Sequence, residues 1–208
     1  MRLSQPQVID LLSELHNVSD DRPTAVRGRV QSFQRLGFPK GTNTGRGIPA
    51  TYGPLQVTHL LFAFELLQLG LAPERIVSLI KRDERALTRG LRDARHDIGR
   101  DLFAGPSRKA VFAVIDPSAV TIGAGDAATW QGDIEFLEFG ARSKIEGRVF
   151  RTRRSAVINL SSMLERAAAI SQRKGIAAIT EWEDAMSSLS LVTHTRPRSD
   201  AEGNDPEA

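Results

Sequence analysis

Arginine and lysine side chains at helical spacing, with no carboxylate among them, can bind a polyanion, and this chain holds one such stretch. From Arg22 to Phe64 there is no acidic residue, while Arg22, Arg27, Arg29, Arg35, Lys40 and Arg46 all fall inside it. Elsewhere acids and bases alternate, so the formal net charge of the 208 residues is only +3. A small total conceals a strong local bias, and a phosphate backbone responds to the local bias.

Other chemistries are poorly supported. The chain has no cysteine, which excludes disulfides, thiolate metal sites, iron–sulfur clusters and cysteine nucleophiles. The histidines His16, His59, His96 and His194 have no metal-ligand spacing, and no nucleophile has a base at a fixed offset. His59, within an apolar helix, reads as a core or interface residue. The run Gly123-Ala124-Gly125-Asp126-Ala127-Ala128 fits the glycine fingerprint of dinucleotide sites, but Gly132 and another strand-like run arrive too soon for a crossover helix, so a turn is expected. The expectation is a binding protein and not an enzyme, with no catalytic residues, metal or cofactor. The opening MRLSQPQVIDLLSELH lacks the apolar run of a signal peptide, and no stretch is long and apolar enough to span a bilayer. A cytoplasmic, nucleoid-associated protein without membrane contact is expected.

The elements that must position the basic residues follow from periodicity. Ser4 and Pro6 open a helix with Val8, Leu11, Leu12 and Leu15 on one face, ending near Asn17. Thr24 is read as the N-cap of a second helix, about 24–37, with Val26, Val30, Phe33 and Leu36 as its apolar stripe. Gly37 and Pro39 stop it. Residues 40–52 carry Gly41, Gly45 and Gly47 with little apolar content, as a loop or loose two-stranded ribbon does. Leu55 to Leu69 is apolar nearly all round, and Pro73 opens a fourth helix with Ile76, Leu79 and Ile80 inside.

This order is that of a winged helix-turn-helix. The run Val30-Gln31-Ser32-Phe33-Gln34-Arg35-Leu36-Gly37-Phe38 resembles the end of the recognition helix of MerR-type regulators, with Phe33, Arg35, Leu36 and Gly37 matching. Tyr52 stands where that family has a tyrosine before its third helix, and Leu66-Leu67-Gln68-Leu69-Gly70-Leu71-Ala72-Pro73-Glu74-Arg75-Ile76 resembles its passage from third to fourth helix. The resemblance covers about residues 3–80. It departs at Gln31 and Ser32, where the family usually has arginine and tyrosine, and at Ala50-Thr51 in the wing. It implies a sequence-specific regulator of transcription in a bacterial cell that binds double-stranded DNA as a homodimer, with RNA polymerase carried as a further partner. Arg27, Gly28, Arg29 and Gln31 would meet the major groove, Lys40, Thr42, Asn43, Thr44 and Arg46 the phosphates beside it, and Thr24, Ser32 and Tyr52 count as further DNA contacts. Arg35, beside the Leu36-Gly37 turn, contacts DNA or pairs with a nearby carboxylate or carbonyl. The alternatives are an architectural DNA-binding factor, such as an excisionase or partition adaptor, and a ligand-sensing or protein-interaction module.

The fold class expected is therefore α+β and mainly helical. Its parts are a winged head at 1–80, a connector and dimerisation helix at 81–104, a small mixed α/β domain at 105–192 and a disordered tail at 193–208. Leu87, Leu91, Ala94, Ile98 and Leu102 give the connector a weak dimer seam. In the C-terminal part, strands are expected at 110–115, 120–122 and 134–139. A helix capped by Ser155 should follow, and another with a Thr180–Glu183 capping box. Trp130, Phe136 and Phe139 read as core more readily than as an effector pocket. Arg142, Lys144, Arg148, Arg151, Arg153 and Arg154 are a second basic cluster, read equally as a contact to flanking DNA or protein and as a solvated face.

Overall fold

The computed structural model describes residues 1–18, 23–42, 49–99, 109–115, 136–141, 143, 145–146 and 155–189. The chain is mainly helical with small antiparallel sheets, an α+β arrangement. Asn43, Thr44, Arg46, the expected strand at 120–122, the glycine run at 123–128, Trp130 and the tail lie outside the described residues, as do Arg142, Lys144, Arg148, Arg151, Arg153 and Arg154.

Strand β1 (Leu3–Ser4) leads directly into helix α1 (Gln5–Leu15). Ser4 and Gln7 cap that helix reciprocally: Gln7 donates its amide N–H to Ser4 Oγ, and the Ser4 amide donates to Gln7 Oε1 at 2.8 Å. Asn17, at φ 51°, ends the turn after it. Helix α2 (Pro23–Arg35) opens on proline, so Thr24 is a first-turn residue and not the expected N-cap. Gly37, at φ 68°, reverses the chain, and the Phe38 amide returns to the Phe33 carbonyl at 3.0 Å. Strand β2 (Thr51–Tyr52) then pairs antiparallel with β1, Leu3 opposite Tyr52 and Ser4 opposite Thr51. Helix α3 (Pro54–Gln68) buries Val57 to Phe64 without interruption, and helix α4 (Pro73–Arg82) buries Ile76, Val77, Leu79 and Ile80.

The region expected as a connector differs. A break at Asp83 separates α4 from helix α5 (Glu84–Ala94), which passes into a 3-10 turn at Arg95–Asp97 and ends by Gly99. Of the proposed dimer seam, Leu87, Leu91, Ala94 and Ile98 are buried within the same chain, and Leu102 lies outside the described residues. Helix α5 packs against the C-terminal sheet and helices, so its apolar stripe covers this chain's own core and is not free to meet a partner. The stripe was legible; the surface opposite it was not.

The sheet consists of β3 (Val111–Ile115) between β4 (Phe136–Ala141) and β5 (Ala156–Asn159), all antiparallel to neighbours. Ser155 precedes β5 and caps no helix. Asn159 does so for α6 (Leu160–Arg173), accepting the Ser162 amide at 3.0 Å, and Val157 is on the exposed side of the strand. Helix α7 (Ile179–Ser187) is opened by Glu181, which accepts the Ala178 amide, and not by Thr180 with Glu183. Trp182, Met186 and Leu189 are buried as expected. Helix α6 packs on α1, α3, α5 and β3 together, and one core cluster runs from Leu3 to Leu189 across the expected boundaries at 80 and 104. No helix among the described residues is long and apolar enough to cross a membrane.

His59 lies inside this core at 4% exposure, and burial holds its imidazole down at about 4. Burial also lowers His16, which stacks on Phe64. An unfolded His59 takes up its proton near 6.5, a folded one only near 4. Between those values the unfolded chain binds more protons, so stability is full above pH 6.5 and falls as the pH drops through that window. Urea unfolding at neutral pH and at pH near 4.5 should show His59→Phe losing up to about 3 kcal/mol less than wild type across the interval. Equal losses in the two proteins would refute this assignment.

Candidate nucleic-acid interface

At about 100° per residue, buried Val26, Val30 and Phe33 define the inner side of α2. Thr24, Gly28, Gln31 and Arg35 lie along the opposite line and are exposed, with Ser32 half-buried beside them. Arg27 and Arg29 are also exposed, but two residues along a helix are about 200° of arc apart. They are therefore walls on opposite flanks of a strip, not neighbours on one surface. Arg27 shares its flank with Gln34. Among the described residues, Arg27, Arg29, Arg35 and Lys40 have no carboxylate partner, so the strip keeps its positive charge, and Arg35 has neither of the alternative partners expected for it.

Gly28 sits in the middle of the strip. A Cβ built there would meet nothing within 4 Å, and Gly28 is helical, so neither crowding nor backbone conformation calls for glycine. Glycine within a helix costs about 0.5–1 kcal/mol relative to alanine. The fold offers no reason for that cost; close approach by something outside the chain would supply one.

Two glutamines fix this strip relative to the glycine-rich loop, and the sequence reading assigned a role to neither. Gln34, on the side of α2, donates from Nε2 to Tyr52 Oη at 2.8 Å and accepts at Oε1 from Gln5 Nε2 at 3.4 Å. That link joins α1, α2 and β2. Gln56, in the first turn of α3, donates from Nε2 to the Lys40 carbonyl at 2.8 Å and accepts the Gly53 amide at Oε1. One side chain thus clasps both ends of the segment from Lys40 to Gly53. A glutamine three residues after a helix-opening Gly-Pro was the available signal for Gln56. Gln34 carried none, because a glutamine among arginines on a basic helix reads as surface.

Two expected DNA contacts are corrected. Tyr52 is fully buried with its hydroxyl committed to Gln34, and Thr42 is buried with Oγ1 donating to the Pro39 carbonyl at 2.8 Å. Both hydroxyls are committed inside the protein, Thr42 closing the turn from Pro39 and Tyr52 linking β2 to α2, where either group would otherwise be buried without a partner. Lys40 is exposed at the root of the loop. Among the described residues, no three His, Asp or Glu side chains gather as a metal site. Comparison of the chain with protein-family models, curated proteins and solved structures finds no match.

Tyr52 is the sole tyrosine, so its ionisation is directly visible. Burial raises its pKa, and the Gln34 hydrogen bond, which favours the phenolate, partly offsets that. Gln34→Ala should move the phenolate absorbance transition further upward and cost about 1–3 kcal/mol, through the hydroxyl left unpaired. An unmoved transition in a folded variant would mean that the link does not hold Tyr52.

Proposed function

We propose that this chain is a MerR-like winged helix-turn-helix protein that binds double-stranded DNA sequence-specifically and regulates transcription. In this reading α1 and α2 are the helix-turn-helix, the segment from Lys40 to Tyr52 is the wing, and α3 with α4 is the support behind it. The observation that carries the reading is Gly28: a bare, exposed helical position, walled by Arg27 and Arg29 and continued by Gln31 and Arg35. A helix seated in the major groove brings its outer line within contact distance of base edges, where a glycine admits the duplex and glutamine or arginine reads it. The absence of acid from the first turn of α2 fits the same partner, since phosphate takes that place favourably at a helix N-terminus.

Lys40, held by Gln56 at the wing root, is the phosphate contact in this scheme, and Arg27 and Arg29 reach the two strands bordering the groove. A symmetric operator read by two copies doubles the contact. The copies meet on a surface other than the buried stripe of α5. The protein acts at the nucleoid, as a regulator of promoters.

A gel shift on genomic fragments at two salt concentrations tests the proposal, and the absence of a sequence-selective, salt-sensitive complex would overturn it. Lys40→Ala should weaken binding to all sequences alike and reduce the salt slope by about 1, whereas Gln31→Ala should relax selectivity at one base pair by about 1–3 kcal/mol. Gly28→Ala separates this reading from a merely solvated basic face. It should stabilise the free protein by about 0.5–1 kcal/mol while weakening the DNA complex about tenfold. A variant both more stable and equally tight on DNA would show that nothing approaches Gly28.

A further inference from the structure

Helix α5 carries a second line of cations, which the DNA-binding reading above does not use. Its inner side is set by buried Leu87, Leu91 and Ala94, and at about 100° per residue Arg85, Arg89 and Arg92 fall on the opposite side, within about 60° of arc. Arg85 and Arg89 are exposed and Arg92 is half-buried. They stand at the four- and three-residue spacing at which side chains on one helix meet, and like charges so placed destabilise a helix. Arg85 is also in the first turn of α5, where the helix dipole disfavours a cation.

The chain does not neutralise this ridge. Other cations at its surface are paired with carboxylates: Arg82 with Asp83, Arg173 with Glu14 and Lys174 with Asp10. Among the described residues Arg85, Arg89 and Arg92 have no such partner, and Asp93, one turn beyond Arg89, is not paired with it. A guanidinium is weakly hydrated and its fork of donors matches the oxygens of a phosphate. At 1.5 Å per residue the ridge is about 10 Å long, and one DNA strand presents a phosphate every ~3.4 Å of axis, so the ridge spans about three phosphates.

The start of α5 adjoins the proposed interface. Lys81 and Glu84 border one cavity together with Lys40 and Leu55, and Lys81 borders a second with Arg82 and Arg85. Helix α5 therefore begins beside the wing root, and from Lys81 to Arg92 five basic residues stand against only Asp83 and Glu84. We infer that the ridge of Arg85, Arg89 and Arg92 holds the phosphate backbone of double-stranded DNA flanking the segment that α2 reads. This contact rests on the DNA-binding reading and carries no sequence preference of its own. The rival occupant is the exposed acidic side of α7 in a second copy, with Glu181, Glu183 and Asp184. DNA fits better, because α5 adjoins the wing root and Glu181 is already engaged with the Ala178 amide.

The test measures affinity against salt for a genomic fragment selected in the gel shift, once with its flanks and once trimmed to the shortest length that keeps selectivity. The variant combines Arg85→Gln, Arg89→Gln and Arg92→Gln. It should melt no lower than wild type, because glutamine suits a helix and the repulsion is gone. On the flanked fragment it should bind about tenfold or more weaker, with the salt slope reduced by about 2–3 and the preference over a scrambled fragment unchanged. On the trimmed fragment the two proteins should bind alike. Equal binding of the flanked fragment, or an equal loss on both lengths, would overturn the contact. Self-association of DNA-free wild type at low salt that the variant lacks would also overturn it, in favour of α7 of a second copy. If no fragment is selected, the regulator is lost and a random-sequence duplex decides the ridge alone: salt-sensitive binding that the variant loses keeps it as a DNA contact, and equal binding removes it.

Discussion

A helix apolar around its whole circumference must be covered on every side, and α3 imposes that requirement on everything else in this fold. From Val57 to Phe64 each residue is buried, whichever way it points. Helices α1 and α4 cover part of that surface, and α6 and α7 cover another part. The N-terminal helices therefore cannot close a core by themselves at this composition. The C-terminal elements are a structural half of the same core, which is why it continues from Leu3 to Leu189. The acid-free stretch acquires two causes from this. In α3 carboxylates are absent as far as Phe64, the fully buried part, because an unpaired buried charge is prohibitive, and the first one, Glu65, is only half-buried; on α2 they are absent although the outer line is open to water. Only the second absence asks for a partner.

With α3 fixed, the outer elements are attached by a few directional links. Gln34 ties α2 to Tyr52 and Gln5, and Gln56 ties both ends of the loop to the start of α3. Buried polar links of this sort add little net stability when satisfied but exclude alternative placements, because each would strand a donor or acceptor. The surface ion pairs of Arg173 with Glu14 and Lys174 with Asp10 join α6 to α1 in a weaker way, being largely exposed and screened.

Much of the fold could be read from period and punctuation. Helices α1, α3 and α4 lay where their apolar spacing and prolines put them, and β3 and β4 followed from short apolar runs between breakers. What failed shares one physical character. A stripe such as Leu87, Leu91, Ala94 and Ile98 says that one side of α5 is covered, not by which chain, and only the tertiary structure places α6 and the sheet there. Ser155 lost to Asn159 because an alternating tetrapeptide, Ala156–Asn159, found a strand partner in β3. Tyr52 and Thr42 were taken for surface because their hydroxyls can serve DNA; the Thr42 hydroxyl closes a turn instead and the Tyr52 hydroxyl meets Gln34 of α2, a partner that no local spacing announces. Of the proposed interface, Thr24, Arg27, Gly28, Arg29, Gln31, Arg35 and Lys40 are exposed, while the division of the arginines between two flanks required the helix to be drawn.

The glycines show how a fold separates its own needs from those of a partner. Gly37, Gly70 and Gly175 stand at positive φ after α2, α3 and α6, where any side chain would be strained, so the chain explains them completely. Gly28 has helical geometry and empty space around it, and the chain explains nothing about it. The ring contacts beneath it are just as uneven. His16 stacks on Phe64, Phe64 meets Phe33, Phe33 meets Phe38, and Phe38 stacks on His59. This row runs from the end of α1 through α3 and α2 back to α3, and both its end members, His16 and His59, have a buried Nε2 with no partner among the described residues. An unexplained glycine on the outer side of α2 and an unsatisfied imidazole behind its inner side are both costs that folding does not offset.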